Sequence, residues 1–298
     1  MRRAVRGKDA SITKEASPLV AEGRVFVGDL SGMFYALDAA SGEKRWTHET
    51  GARIMGSANW APAAGNRPAV VLVGSYDRFL YAFEAASGTL RWRHETENYI
   101  NGTPALTDQC AVVGGCDACL HIIDLKTGDN AGPCIDTGSY IAGSAAVDGG
   151  HIFVGHYGNQ LLCADTRGED GILWEYGDED EGSPFFASPA VGTRHVFAGS
   201  RDRKMHCVDR RTGAAVWQFE TRGEVNSSPV VGEKHVVFGS DDGRLYIVRR
   251  EDGKKVWSYL VGAPVKSSPA VVGGQIIVGA SDGRVYVFGP KPPSQAQE

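Results

Sequence analysis

The chain has 298 residues, of which 42% are hydrophobic and 22% charged, a composition typical of a folded globular protein and not of a disordered one. Its 31 basic and 36 acidic residues give a net charge of −5 at pH 7, which argues against a protein that binds nucleic acid through a basic surface. The sequence contains no run of eighteen apolar residues, so no membrane span is predicted.

The N-terminal stretch MRRAVRGKDA is basic, like the start of a signal peptide, but lacks the apolar stretch that should follow. Two locations therefore stay open. The protein is cytoplasmic if this N-terminus is native, and periplasmic or otherwise extracytoplasmic if a signal peptide has been removed. Six cysteines in a chain of this length do not form the dense disulfide framework of a small secreted domain.

Internal repetition is the dominant feature of the sequence. A marker hydroxyl residue recurs seven times, 40 to 46 residues apart, at Ser17, Ser57, Thr103, Ser144, Ser188, Ser228 and Ser268. A blade glycine that ends an apolar run recurs with it, at Gly28, Gly74, Gly114, Gly155, Gly199, Gly239 and Gly279. A period of about 40 to 50 residues is typical of propeller blades rather than of helical arrays.

Each unit contains segments that predict four short strands, A to D. In the sixth unit these are SSPVV, HVVFG, RLYIV and KKVWSY, with SDDG and REDG as the turns between B and C and between C and D. No segment shows a helical apolar period long enough to compete. The sequence therefore predicts an all-β fold, a seven-bladed β-propeller of four-stranded antiparallel blades.

The seventh unit stops after strand C at GPKPPSQAQE, where the prolines exclude a further strand of the sheet. We predict that Arg2–Lys8, which precedes the first unit at the offset of a D strand, supplies the outer strand of blade seven and closes the ring. The expected organisation is a single propeller domain over residues 1–289, followed by a Pro-rich tail over residues 290–298. A monomer is expected for the isolated domain.

The segments YALDAASGEKRW, YAFEAASGTLRW and HCVDRRTGAAVW resemble the tryptophan-marked repeat of the PQQ-like propellers. That superfamily includes quinoprotein alcohol dehydrogenases and the BamB-type outer-membrane assembly lipoproteins. The resemblance covers essentially the whole chain and implies the propeller fold. It says less about function, because the shared residues are those that build a blade.

The repeat also gives structural roles to most aromatic residues and histidines. We expect a repeated tryptophan to pack between neighbouring blades. Five of the seven units carry it, as Trp46, Trp92, Trp174, Trp217 and Trp257, and the third unit lacks it. Seven of the eight histidines occupy blade-building positions; His121 and His206, for example, replace an aromatic residue of strand C. Only His156 falls at a loop position that varies between units.

Four of the six cysteines fall into two groups. Cys163 and Cys207 occupy a core position of strand C and are predicted to be small hydrophobic residues. Cys116 and Cys119 span the B–C turn of the third unit, close enough for a disulfide. Three hypotheses stay open for this pair: free thiols, a redox-sensitive pair, or half of a metal site. No metal site is assigned, because zinc needs two further ligands and none occurs at a regular spacing.

A functional site is predicted on the end of the blades where the B–C and D–A loops emerge together, since a rigid scaffold presents its variable residues there. The positions that vary most lie just after the blade glycine and two residues before the marker. The candidate binding residues are Glu15, Tyr76, Asn101, His156, Tyr157, Phe186, Arg201, Asn226, Asp241 and Lys266. Such a mixed polar and aromatic face suits a protein or peptide, a planar anionic ligand, or a solvated mouth without a ligand.

We expect a non-catalytic scaffold that binds other proteins or peptide segments, as similarity to the BamB-type branch implies; no catalytic residue is assigned. The alternative is a dehydrogenase dependent on pyrroloquinoline quinone (PQQ) and calcium, or a propeller that binds a small ligand. The family's enzymes have eight blades, long insertions and a vicinal cysteine pair, whereas these units are nearly minimal and contain no Cys-Cys. No cofactor is therefore expected, and PQQ and calcium are implied by the resemblance alone. A third hypothesis is a redox-sensing adaptor that acts through Cys116 and Cys119.

Overall fold

A computed structural model describes residues 16–167 and 171–289 of the chain. All regular elements in these ranges are β-strands, paired antiparallel into seven sheets that follow the chain as the blades of a β-propeller. None of these residues forms a helix long and apolar enough to cross a membrane. The predicted all-β, seven-bladed architecture is confirmed.

The first four blades each contain four strands. Blade 1 is built from β1 (Leu19–Ala21), β2 (Arg24–Gly28), β3 (Met33–Asp38) and β4 (Lys44–Glu49); blade 2 from β5 (Asn59–Ala61), β6 (Val70–Gly74), β7 (Phe79–Glu84) and β8 (Leu90–Glu95); blade 3 from β9 (Ala105–Leu106), β10 (Cys110–Gly114), β11 (Cys119–Asp124) and β12 (Ile135–Asp136); blade 4 from β13 (Ala146–Asp148), β14 (His151–Gly155), β15 (Gln160–Asp165) and β16 (Ile172–Gly177).

Blades 5 and 6 repeat this pattern, and blade 7 has three strands within the described residues. Blade 5 is built from β17 (Ala190–Val191), β18 (His195–Gly199), β19 (Lys204–Asp209) and β20 (Ala215–Glu220); blade 6 from β21 (Val230–Val231), β22 (His235–Gly239), β23 (Arg244–Arg249) and β24 (Lys255–Leu260); blade 7 from β25 (Ala270–Val272), β26 (Gln275–Gly279) and β27 (Val285–Phe288). The predicted closing strand, Arg2–Lys8, lies outside the described residues.

Contacts between Cα atoms divide the chain into two compact units. The first comprises Met1–Gly158 and Leu162–Glu175, and the second comprises Asn159–Leu161 and Tyr176–Glu298. Blades 1 to 3 belong to the first unit and blades 5 to 7 to the second. The predicted Pro-rich tail, residues 290–298, lies outside the described ranges.

The hydrophobic core lies between consecutive blades. In the first unit, Phe34 of blade 1 stacks on Phe83 of blade 2 with ring centroids 5.9 Å apart, and both side chains are fully buried. The repeated tryptophan extends this contact, because Trp46 of blade 1 donates its indole N–H to the carbonyl of Ala85 in blade 2 (3.2 Å). Trp92 and Trp217 make the same contact, with Leu125 (3.1 Å) and Arg250 (3.0 Å). The predicted packing between blades is thus confirmed for these three tryptophans.

The marker hydroxyl residues link the A strands of adjacent blades. The Ser57 hydroxyl oxygen accepts the backbone N–H of Ser17 (2.9 Å), and Thr103 accepts that of Ser57 (3.1 Å). In the second unit Ser228 accepts the N–H of Ser188 (3.0 Å). The marker position therefore retains a hydroxyl group because that group satisfies a backbone donor of the preceding blade.

Candidate functional site

The B–C turn and the D–A loop of each blade are joined by a repeated backbone hydrogen bond. The residue two positions after the blade glycine donates its N–H to the carbonyl four positions before the marker, as in Tyr76 to Arg53 (3.0 Å) and Asp241 to Glu224 (2.8 Å). Cys116, Tyr157 and Arg201 donate in the same way. Both loops therefore emerge at one end of the strands, here called the loop end, where the sequence predicts the site.

Four tyrosines occupy the loop end of blades 2 to 4 in the first unit. Tyr76 and Tyr99 stack with their rings parallel and their centroids 4.9 Å apart, and the Arg53 guanidinium lies 4.3 Å from the centroid of Tyr76. The backbone of Tyr140 accepts the N–H of Tyr157 (2.9 Å). The fractional exposures of Tyr99, Tyr140 and Tyr157 are 47%, 56% and 41%, which makes this tyrosine stripe an aromatic surface in contact with water.

The loop end of blades 5 to 7, in the second unit, carries a connected polar network. Its cations and carboxylates are balanced; the members are Phe186, Arg201, Glu224, Asn226, Asp241 and Lys266. The Arg201 guanidinium lies 4.4 Å from the ring centroid of Phe186 and 3.6 Å from the Glu224 carboxylate. The Asn226 amide donates to Glu224 (2.9 Å) and to Asp241 (3.1 Å), and the Lys266 amine lies 3.5 Å from Asp241. Five of the ten predicted site residues thus contact one another in a chain.

Asp241 contributes a free acceptor to this network. Its Oδ2 atom binds Asn226 and Lys266, whereas its Oδ1 atom is buried and has no hydrogen-bond partner among the described residues. A buried carboxylate oxygen without a donor is costly.

His156 has a different place from the one predicted. The side chain is 2% exposed, and its Nδ1 atom accepts the N–H of Gly158 (3.0 Å), just as Ser200 accepts the N–H of Asp202 (3.2 Å) in blade 5. Burial lowers the pKa of His156, so the ring is neutral at pH 7. The residue stabilises its B–C turn and does not present its ring at the surface.

Asn101 and Cys116 contact each other at the loop end of blade 3. The Asn101 amide donates to the Cys116 sulfur (3.0 Å), and its own carbonyl oxygen is buried without a partner in the described part of the chain. Glu15, the remaining candidate, lies outside the described residues.

The structure corrects the predicted cysteine pair. Cys119 forms a disulfide with Cys134, with Cα atoms 5.7 Å apart, and Cys116 is a free cysteine. In the pairing of β11 with β12, Cys119 lies opposite Asp136 and Leu120 opposite Ile135. Cys134 comes two residues before Asp136 and therefore on the same side of the strand as Cys119. Blade 3 lacks the tryptophan and has a fourth strand of only two residues, and the disulfide ties the residue before this strand to β11 within the same blade. The redox-adaptor hypothesis loses the pair on which it depended.

The described residues do not provide a recognisable metal site. Nowhere in residues 16–167 and 171–289 do three His, Cys, Asp or Glu side chains lie close enough together to hold a metal ion.

Four further residues of the loop end were not predicted from the sequence: Arg53, Tyr99, Tyr140 and Glu224. Each lies four residues before the marker, and thus two residues before the position that was predicted to face the site. Side chains two residues apart in an extended segment point to the same side, so both positions face the loop end. The signal was present in the sequence, because these residue types vary between units as strongly as those that were chosen.

Comparisons with known proteins agree with this architecture. Residues 167–292 match the family model described as outer membrane protein assembly factor BamB. The crystal structure of BamB from Moraxella catarrhalis is similar in fold, with a TM-score of 0.77. The two sequences are 20% identical, and the match covers 94% of this chain and 84% of the BamB chain. The computationally designed Ika8 protein is 15% identical, with 94% and 97% of the two chains covered and a TM-score of 0.68. No curated protein sequence matches significantly.

These similarities define the class of fold, a PQQ-like β-propeller. The similarity to the BamB family model covers residues 167–292, less than half of the chain, and the similarity to the solved BamB structure is one of fold. The predicted resemblance is confirmed.

Proposed function

We propose that this protein is a non-catalytic scaffold that binds other proteins through the loop end of its blades. The tyrosine stripe carries the proposal. Tyrosine combines a large apolar ring with a hydroxyl group and loses little conformational entropy on binding, which is why it is enriched in the centres of protein interfaces.

The polar network of the second unit supports the same conclusion. Lys266 and Glu224 are exposed to 60% and 45%, so charged groups are accessible beside the buried acceptor of Asp241. Groups of this kind orient a polypeptide, whose backbone N–H and charged side chains complement them.

We further propose that the protein works outside the cytoplasm. The similarity to BamB, an outer membrane assembly factor by the description of its family, supports this location. The Cys119–Cys134 disulfide supports it independently, because such bonds persist in oxidising compartments and are rare in the cytosol.

The test of the scaffold function is quantitative cross-linking with the full chain in cells of its source. We expect the double variant Tyr99→Ala, Tyr140→Ala to lose its cross-linked proteins while its circular dichroism stays unchanged. Leu90→Ala removes a comparably exposed apolar side chain from the outer strand of blade 2 and should keep them. Identical cross-linked proteins for the double variant and the parent would contradict the proposal.

The alternative, a PQQ-dependent dehydrogenase, has a separate test. Calorimetric titration with PQQ and Ca²⁺, followed by an alcohol-dependent dye-reduction assay, should show neither binding nor turnover. Micromolar binding accompanied by turnover would replace the scaffold by the enzyme.

A further inference from the structure

A cleft of about 500 Å³ lies between blades 5 and 6, at the end of the strands opposite to the loop end. Its walls are the A–B turns of the two blades and the end of β23, all within the second unit. The basic residues that line it are Arg194, His195, Lys234, His235, Arg249 and Arg250. Only two carboxylates, Glu233 and Glu251, share the lining, so the cleft is cationic in a protein whose net charge is −5.

Arg249 is not required by the architecture of the blade. The last residue of strand C is acidic in blades 1 to 5, where it is Asp38, Glu84, Asp124, Asp165 and Asp209. Asp209 shows why, since its carboxylate accepts the backbone N–H groups of Arg211 and Thr212, both at 3.0 Å, and so stabilises the C–D turn. Blade 6 places Arg249 there, which reverses the charge that blades 1 to 5 carry at this position.

The corresponding cleft between blades 2 and 3 serves as a comparison. It has the same position in the fold and a volume of about 340 Å³. Its charged residues are Arg67, Asp108, Asp124 and Lys126. Two cations balance two carboxylates there. The cationic character is therefore a property of the cleft between blades 5 and 6 and does not follow from the fold.

Arg250 is held in place across this cleft. One terminal nitrogen donates to the Thr193 hydroxyl of blade 5 (3.2 Å), and the other donates to the carbonyl of Gly232 in blade 6 (3.4 Å). Neither Arg194 nor Lys234 forms an ion pair with a carboxylate in the described ranges, whereas Arg249 pairs with Asp252 (3.1 Å). The cleft thus presents one fixed guanidinium and two unpaired cations to a ligand.

We propose that this cleft binds a phosphate group, either free or as the monoester of a small molecule. Arginine guanidinium groups bind phosphate oxygens through two parallel N–H donors, and lysine adds a point charge. His195 and His235 supply further N–H donors from the first residues of β18 and β22. This site is separate from the loop end and independent of the scaffold function.

The test is calorimetric titration of the full chain with sodium phosphate, against sodium chloride at equal ionic strength. Arg249→Asp introduces the acid that blades 1 to 5 carry at this position, so the variant should fold. We expect its phosphate affinity to fall tenfold or more. Lys234→Ala removes a second cation from the cleft and should also lower the phosphate affinity. Lys126→Ala, in the cleft with balanced charges, should bind phosphate like the parent. Thermal unfolding in chloride verifies that each variant is folded.

Two results would overturn the proposal: a parent protein that responds to phosphate no more than to chloride, or unchanged affinity in both Arg249→Asp and Lys234→Ala. A parallel titration with glycerol phosphate distinguishes the sources. Equal binding supports a phosphomonoester, and binding of inorganic phosphate alone supports the free ion.

Discussion

Gly74, the last residue of β6 in blade 2, lies directly against the side chain of Ile100 in the next blade. A Cβ atom added at Gly74 would overlap the branched carbon atoms of Ile100. The same relationship joins Gly28 with Ile54, Gly114 with Ile141, Gly199 with Val225 and Gly239 with Val265. The blade glycine therefore recurs because the apolar residue of the following blade occupies the space of its side chain, and not because the turn needs a left-handed backbone.

Gly74→Ala should destabilise the protein by about 1–3 kcal/mol, since the added methyl group forces Ile100 or its strand to move. The measurement is the urea dependence of unfolding followed by circular dichroism. Gly232→Ala is the matched control, because the nearest atom to its added methyl group, at 3.7 Å, is an ordinary contact. Equal stability of the two variants would show that the interface between the blades is looser than the structure indicates.

Removing the Cys119–Cys134 disulfide should cost about 3 kcal/mol, the loop-closure value for a separation of 15 residues. The double variant Cys119→Ala, Cys134→Ala should unfold at lower urea concentration than the parent. Reductant should lower the stability of the parent to that of the variant. Cys116→Ser should change neither the stability of the protein nor its response to reductant. A peptide map that links Cys116 to Cys119 would contradict the assignment of the disulfide.

The free cysteines should differ widely in reactivity. Burial raises the pKa of Cys207 to about 12, and Cys163 is equally enclosed, with 1% exposure. Cys116 is half-buried at a turn. Because the thiolate is the reacting form, a disulfide reagent at pH 8 should modify Cys116 first and the two core cysteines only after unfolding. Rapid labelling of Cys207 in the folded protein would refute its place in the core.

The repeat made the fold predictable, because a residue that recurs at one position of the repeat makes the same contact in several blades. Trp46, Trp92 and Trp217, which occupy the same position in their blades, are examples. The substitution of His121 and His206 for a tyrosine was also foreseen from their position. The structure adds the reason, since each donates to the aspartate of its turn, Asp117 or Asp202, as Tyr246 does to Asp242.

Other features could not be predicted from the repeat. The Cys119–Cys134 bond depends on the register of a two-residue strand that follows an irregular loop, and no periodic pattern fixes that register. The contacts from Arg201 through Asn226 to Asp241 depend on side chains of different blades, so position alone could nominate these residues but not connect them. The closing strand, Arg2–Lys8, stays a prediction.

The aspartates that end strand C should make the protein less stable in acid. The backbone N–H of Arg211, followed by the hydroxyl of Thr212, holds the pKa of Asp209 below its usual value, and the Arg167 side chain does the same for Asp165. The folded pKa is thus lower than the unfolded value of about 3.9. This stabilisation is fully present above that pH and is lost as the pH falls towards the folded pKa.

Asp209→Asn should therefore reduce the loss of stability between pH 5 and pH 3, because asparagine keeps an acceptor oxygen for the turn but does not titrate. The measurement is the urea midpoint of the parent and the variant at both pH values. Asp108→Asn, in an exposed A–B turn, controls for the removal of one negative charge. Its urea midpoint should fall with pH as that of the parent does. If Asp209→Asn also loses the full parental amount of stability, Asp209 does not contribute to the acid sensitivity.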